Sequence, residues 1–195
     1  MTDDLAAYEE NLAKSWVGAP PKLESKIEIV DYDGEWPVRY ERESARVREV
    51  LGSRVMRLEH AGSTSVPTLP AKPIIDMVLE VLDSADEQSY VPDLEGAGYV
   101  LVIREPDWYE HRVFKGPDTN INLHVFSAGC EETDRMVLFR DWLRTNDADR
   151  ELYAAAKREL AAGDWKYVQQ YADAKTAVVA DIMSRAEAAK QGGET

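Results

Sequence analysis

A chain of 195 residues with 44% hydrophobic content is long enough for one domain with a full core and short for two. Its formal net charge of −14 argues against indiscriminate binding to nucleic acid or an anionic membrane, which needs a basic surface, but leaves room for a nucleotide in a local positive pocket. The longest apolar stretches, at Ile74–Ile75 and Met77–Leu79, are far too short to span a bilayer, and a single cysteine, Cys130, precludes an internal disulfide and fits a reducing cytoplasm.

Residues Asp3 to Trp16 read as an acidic, amphipathic helix rather than a signal peptide, and GAPPK at Gly18–Lys22 ends it. Residues 1–22 are therefore expected to form a helical arm that packs on the domain or on a partner, a homodimer being one such arrangement. Lys26 to Val30 alternates as a half-exposed strand should. DYDGEWP then opens a helix over Pro37–Leu51, with Val38, Val47, Val50 and Leu51 as its apolar side. Strands are predicted at Arg54–Glu59 and Ile74–Leu82, a short helix at Asp86–Gly96, and three further strands at Tyr99–Arg104, Tyr109–Lys115 and Asn120–Ser127, joined by the turns EPDW and GPDT. Helices follow at Thr133–Arg144, Ala148–Ala162 and Trp165–Lys190, and residues 191–195 are expected to be a disordered tail. The class is α+β: one domain over residues 23–190, with a mixed sheet and helices mainly on one face.

The run from Glu59 to Glu80, EHAGSTSVPTLPAKPIIDMVLE, holds the densest chemistry. A Gly-Ser-Thr turn, Gly62 to Thr64, follows one strand, and a second strand carries a lone acid, Asp76. Glycine lets backbone N–H groups approach an anion, the Ser63 and Thr64 hydroxyls can donate to phosphate oxygens, and a metal ion would compensate a carboxylate inside an apolar strand. Lys72 either neutralises phosphate or is a solvated loop lysine. Period-two spacing puts Asp76, Val78 and Glu80 on one face, but Glu80 is about 13 Å from Asp76, too far to share an ion.

All three histidines fall in the strand-rich middle: His60, His111 and His124. A histidine at a strand end is commonly a hydrogen-bonded structural residue. His124 alternates with Leu123 and Val125, so it shares a face with Asn122 and Phe126. If Asp76 lies on that face, Asp76, His124 and Asn122 make a cluster able to hold Mg²⁺ or Mn²⁺. Arg104 or Arg112 could clamp a triphosphate or a carboxylate bidentately, Arg112 better because it is mid-strand. Trp108, Tyr109 and Phe114 are expected in the core. Lys175, four residues after Tyr171, could point back to the pocket but reads first as a surface lysine.

Six segments in order, DYDGEWPVRYERE, LEHAGSTSVPTLPAKPIID, HRVF, NLHVF, FRDWLR and YADAK, resemble the GrpB family, a group within the nucleotidyltransferase-fold superfamily. The resemblance covers about Ile27 to Arg185. It implies a mixed sheet flanked by helices, and transfer of a nucleoside monophosphate from an NTP to a small-molecule acceptor. In that superfamily the Gly-Ser turn binds the triphosphate, and two acids one residue apart on the next strand, often with a third on a later strand, hold two Mg²⁺ ions. Carried over, Gly62 and Ser63 fall on the turn and Asp76 on the first acid. Val78 stands at the second, and His124 where a later acid is expected; both depart from the pattern. The likeness to a domain appended to some dephospho-coenzyme A kinases implies an accessory or nucleotide-linked role. Three readings result: a metal-dependent nucleotidyltransferase with Asp76, His124 and Arg112 as its catalytic residues and Gly62, Ser63, Thr64, Lys72, His60 and His111 binding substrate or phosphate; a non-catalytic domain binding a nucleotide or anionic metabolite in the same pocket; or a partner-docking module that uses the arm.

Overall fold

The computed structural model describes residues 2–193, with side chains over 5–192. Among these residues five strands form one mixed sheet: β1 (Arg57–Ala61), β2 (Ile75–Val81), β3 (Val100–Glu105), β4 (His111–Lys115) and β5 (Ile121–Ser127), in the order β1-β2-β5-β4-β3. Only the central β2–β5 pair is parallel; the other neighbours run antiparallel. A parallel pair needs a long crossover. The segment between β2 and β5 supplies it with a short helix, α3 (Val91–Gly96), and the β3–β4 hairpin. The parallel register sets Asp76 beside Asn122 and Val78 beside His124.

Helices lie on both faces. On one, α2 (Glu35–Leu51) and α3 (Val91–Gly96) cover Ile75, Met77, Leu79 and Val81 of β2 and Ile121, Leu123 and Val125 of β5, with Trp36, Val47, Leu51 and Leu94 completing the core. The helix starts at Glu35, which turns Trp36, Tyr40, Glu43, Val47 and Leu51 inward at helical spacing and leaves Val38 exposed. On the other face sit α4 (Glu131–Thr145), α5 (Asp147–Ala161) and α7 (Thr176–Gly193), around a second core of Val66, Leu69, Leu143, Tyr153 and Ile182. A smaller group, Ala61, Val78 and Phe126, packs beneath Met136 of α4.

Helices on both faces replace the expected placement mainly on one, and three further expectations change. Lys26–Val30 is a connector, joined to the rest by one bridge in which Val30 and Ala71 exchange backbone hydrogen bonds of 2.9 Å. Its neighbour lies between Pro70 and Pro73, and a proline-punctuated loop cannot continue a ladder. The long C-terminal helix breaks at Lys175 into α6 (Val168–Ala174) and α7. Helix α7 then runs through Gln191 to Gly193, into the expected tail, while Glu194 and Thr195 lie outside the described residues.

The arm helix α1 (Thr2–Ser15) packs on its own domain. Val17 N–H donates to Val102 O at 2.9 Å beside a Trp16–Ile103 bridge, Tyr8 Oη donates to Asp173 Oδ2 at 2.8 Å, and Tyr167 Oη donates to Glu9 Oε1 at 3.0 Å. The arm thereby engages the edge strand β3, whose free backbone groups would otherwise invite another chain. No described helix is long and apolar enough to cross a membrane.

Candidate active site

The site begins where β1 ends. Ala61 pairs with Asp76 across the β1–β2 ladder, and the chain turns at Gly62 with φ +65° and ψ −174°, a conformation essentially reserved for glycine. A Cβ at Gly62 would lie 2.3 Å from Asp76 Oδ2. Glycine is thus needed twice here, for the backbone and for the approach of the carboxylate.

The rest of the turn is fastened internally. Ser65 Oγ donates to Gly62 O at 2.6 Å, and Thr64 Oγ1 donates to Ile74 O at 3.1 Å. From α4, Arg144 donates twice to Ser65 O, at 2.8 and 3.1 Å, and Arg140 reaches His60 O at 3.0 Å. Two sequence assignments are corrected as a result. The Thr64 hydroxyl, buried and engaged with Ile74 O, is not a free phosphate donor. His60 lies on the α2 side of β1, stacked on Tyr40 at 4.7 Å; its Nε2 is 3.1 Å from Thr64 Oγ1 and, with the Thr64 hydrogen already donated, must be the donor. Burial drives His60 down to about pKa 4, so it is a neutral buttress of the turn rather than a phosphate ligand. The Ser63 side chain interacts with the Tyr153 hydroxyl from α5.

Asp76 lies in a row across four strands, Ala61–Asp76–Asn122–Lys115. Asn122 Nδ2 donates to Asp76 Oδ1 at 2.7 Å, and Lys115 Nζ donates to Asn122 Oδ1 at 2.5 Å. With its oxygen occupied by a lysine, Asn122 is an amide relay between Lys115 and Asp76 and not a metal ligand, which corrects the expectation. The Asp76 side chain keeps 27% of its surface exposed. Burial would raise its pKa, but His124, Asn122 and Lys72 hold it below the usual carboxylate range, so it stays ionised.

His124 does share the Asp76 face, with Nε2 3.9 Å from Asp76 Oδ1. Its Nδ1 is 3.0 Å from His111 Nε2, and His111 Nδ1 is 2.7 Å from Glu105 Oε2. His111 is buried against Phe126 and Trp108 and driven down to about pKa 4 by desolvation. It therefore stands behind His124, correcting its expected role as a phosphate ligand. Among the described residues no group of three or more His, Cys, Asp or Glu side chains is placed to hold a metal. Asp76 and His124 offer two donors. That set suits a Mg²⁺ or Mn²⁺ ion completed by phosphate oxygens and water rather than an ion caged by protein alone. Val78, at the second acid position, is fully buried with Ala61 and Phe126, so no carboxylate could replace it without losing that packing.

Lysines complete the site. Lys72 and Lys175 both stand over the Tyr171 ring, at 5.2 and 4.7 Å from its centroid, and the buried Tyr171 hydroxyl has no hydrogen-bond partner among the described residues. Lys157 of α5 donates to Pro70 O and lies 4.7 Å from the Tyr153 ring centroid. Burial, then Lys175, lowers Lys72 to about pKa 8, with Asp76 opposing. Burial also lowers Lys115 and Lys175, again against Asp76, and takes Lys157 to about 7. None of these four lysines forms an ion pair with a carboxylate among the described residues. Sequence reasoning missed Lys115, Tyr153, Lys157 and Glu105. Counting by twos from His111 would have put Lys115 on the site face; Tyr153 and Lys157 arrive from α5, which no local pattern announces.

Arg112 is on the opposite face. Its Nε donates to Glu87 Oε1 at 2.6 Å and its Nη2 to Glu110 Oε2 at 3.0 Å, while Arg104 grips Glu87 through two bonds of 2.8 Å. Alternation along β4 sends Arg112 to the side of Phe114 and Leu123, away from Asp76. Neither arginine can clamp a phosphate beside Asp76, which corrects the catalytic assignment of Arg112. Phe114 is core as expected, but Trp108 and Tyr109 are 41% and 42% exposed, on a turn where Tyr109 and Glu110 both have positive φ.

The family model described as GrpB protein matches residues 26–185. A UPF0157 protein of Halalkalibacterium halodurans is 58% identical over 92% of both chains. A more distant relative in Mycobacterium leprae, named dephospho-CoA kinase, is 30% identical over 81% of this chain and 46% of its own length. A solved structure, that of conserved protein GrpB from Enterococcus faecalis, superposes with a TM-score of 0.71 at 28% identity, covering 82% of this chain and 96% of that one. With the match spanning the sheet, the Gly62 turn and the C-terminal helices, this chain belongs to the GrpB family.

Proposed function

We propose that the site binds the polyphosphate of a nucleoside triphosphate and transfers its nucleoside monophosphate to a small hydroxyl-bearing acceptor. The observation that carries the reading is the charge imbalance around Asp76: Lys72, Lys115 and Lys175 all feel this one acid, and Asp173 adds only to Lys175. Two ammonium groups held over a single tyrosine ring repel each other unless an anion joins them. A phosphate chain supplies that anion, and the backbone N–H groups of the Gly62 turn are the kind of donors such a chain takes.

Asp76 and His124 would hold the divalent ion that travels with the nucleotide; such an ion neutralises charge on the phosphates and polarises the reacting phosphorus. Lys72, Lys115 and Lys175 fix the β- and γ-phosphates. The acceptor hydroxyl gives up its proton to water as its oxygen forms a bond to the α-phosphorus and the bridging bond to the β-phosphate breaks, and pyrophosphate leaves to the lysine side. Catalysis of this type rests on position and charge, which are what these residues provide. The relative named for phosphorylating dephospho-CoA carries a like domain in under half its length, which is consistent with a nucleotide-linked task.

One observation favours a second reading. Val78 is buried where a second metal-binding acid is expected, and on that ground the second reading is a nucleotide-binding domain without turnover. Calorimetric titration of the full chain with ATP, CTP, GTP and UTP, with and without Mg²⁺ or Mn²⁺, separates them. The transferase reading expects metal-dependent binding that Asp76→Asn abolishes while the melting temperature is kept. Binding indifferent to both metal and Asp76→Asn would reject it in favour of the second.

A further inference from the structure

The line Glu105–His111–His124–Asp76 runs from the β3–β4 hairpin to the centre of the sheet with gaps of 2.7, 3.0 and 3.9 Å. Each hydrogen along it can be placed. A glutamate carboxylate accepts only, so His111 donates from Nδ1. A neutral imidazole carries one N–H, which leaves His111 Nε2 as an acceptor. The atom facing it, His124 Nδ1, must therefore be the donor. In the neutral ring His124 Nε2 then carries the free electron pair, and its 3.9 Å separation from Asp76 Oδ1 is too long for a hydrogen bond. Two electron-pair donors are left 3.9 Å apart.

Packing keeps the relay from swinging. The His111 ring is 4% exposed, lies nearly parallel to Phe126 at 4.5 Å, and meets the edge of Trp108 at 5.0 Å. The two imidazole planes differ by 8°, so the hydrogen bond between them lies close to both ring planes. Neither Glu105 nor His111 touches the space beside Asp76.

We propose that Glu105 and His111 are positioning residues that hold His124 with its proton on Nδ1 and its Nε2 electron pair turned towards Asp76. This deepens the reading of Asp76 and His124 as the donors to the nucleotide's divalent ion, and rests on it for its purpose. An outer partner that fixes the tautomer of a ligating histidine commonly changes metal affinity 10- to 100-fold.

The test is two-bond ¹H–¹⁵N correlation spectroscopy of the histidine-labelled full chain at pH 8, which distinguishes protonated from bare ring nitrogens. His124 is assigned from the spectrum of His124→Gln. In the wild type, His124 is expected to show Nδ1–H and a bare Nε2. Glu105→Ala frees His111 to turn its proton to Nε2, and the His124 proton then moves to its own Nε2. Glu105→Gln, whose carbonyl oxygen can still accept from His111, keeps the wild-type pattern. Mn²⁺·ATP should bind Glu105→Ala about 10-fold more weakly than either of the others. A wild-type His124 protonated on Nε2 or on both nitrogens, or a Glu105→Ala spectrum identical to wild type, overturns the proposal. The spectra are of the free protein, so they decide the relay whether or not a nucleotide binds.

Discussion

The two faces of the sheet treat cations in opposite ways. On the α2 side, Arg104 and Arg112 are answered by Glu87 and Glu110 at 2.6 to 3.0 Å, and that cluster is saturated. On the other side Lys72, Lys115 and Lys175 gather around Asp76 without forming one direct ion pair with it among the described residues. Buried charge that is paired and hydrogen bonded supports a fold; buried charge left in excess asks for a ligand. The contrast separates a structural cluster from a functional one within a single small sheet.

The change expected to damage most strikes the hinge between these clusters' strands. Gly62→Ala forces a side chain into a glycine-only conformation and drives its Cβ into Asp76, so we expect a loss of about 3–5 kcal/mol in stability and of nucleotide binding together. Chemical denaturation with calorimetry checks it, and a variant as stable as wild type would show that Asp76 is free to move aside. Next comes the paired cluster. Glu87→Ala leaves the buried Arg112 with Glu110 as its one carboxylate and should cost about 2–3 kcal/mol, less than a fully broken buried pair because Glu87 is partly exposed. Nucleotide affinity should be untouched, and any loss of affinity would mean the faces communicate.

How far this contrast could be read from the sequence depends on the scale at which each part is encoded. The EHAGSTSVP and IID segments announce their turn and strand locally, because Gly62 and Asp76 belong to consecutive elements. His124 was legible for the same reason, its alternation with Leu123 and Val125 fixing its face. Arg112 misled because residue type was weighed without parity: counting by twos from His124 through its partner Val113 puts Arg112 on the far side. The break at Lys175 left no mark, since neither glycine nor proline stands there. Lys157 and Tyr153 reach the site only through tertiary folding of α5, so their roles could not be read from spacing.

A smaller effect, with a sign that distinguishes the two clusters, comes from apolar isosteres. Lys175→Met removes a desolvated charge that has no ion pair, so the free protein should be unchanged or stabilised by up to about 1 kcal/mol. Affinity for a triphosphate should nonetheless fall about tenfold, near 1.4 kcal/mol. Arg112→Met should do the reverse, destabilising the fold by leaving Glu110 without its partner and Glu87 with Arg104 alone, and leaving affinity unchanged. If both variants lose stability equally, the lysine cluster is structural after all.

The least of the expected effects is also the one that ties charge to pH. Lys72 has a folded pKa of about 8, below its ordinary 10.5, because burial and then Lys175 disfavour its proton. Between about pH 8 and 10.5 the unfolded chain therefore binds more protons at this residue than the folded one, and its contribution to stability rises with pH across that window. Binding moves the other way: a phosphate chain needs the protonated lysine, so affinity should decline as pH rises through 8, by less than tenfold per unit for this one group. The nucleotide's own phosphates titrate near pH 6, so they contribute little slope there. Titrations at pH 7.5, 8.5 and 9.5 on wild type and Lys72→Met should show the variant with the shallower decline. Nothing on the arginine face can produce this opposition of signs, because its guanidinium groups keep their protons throughout the range. Affinity that is flat in wild type, or equally steep in Lys72→Met, would place the phosphate chain elsewhere than against Lys72.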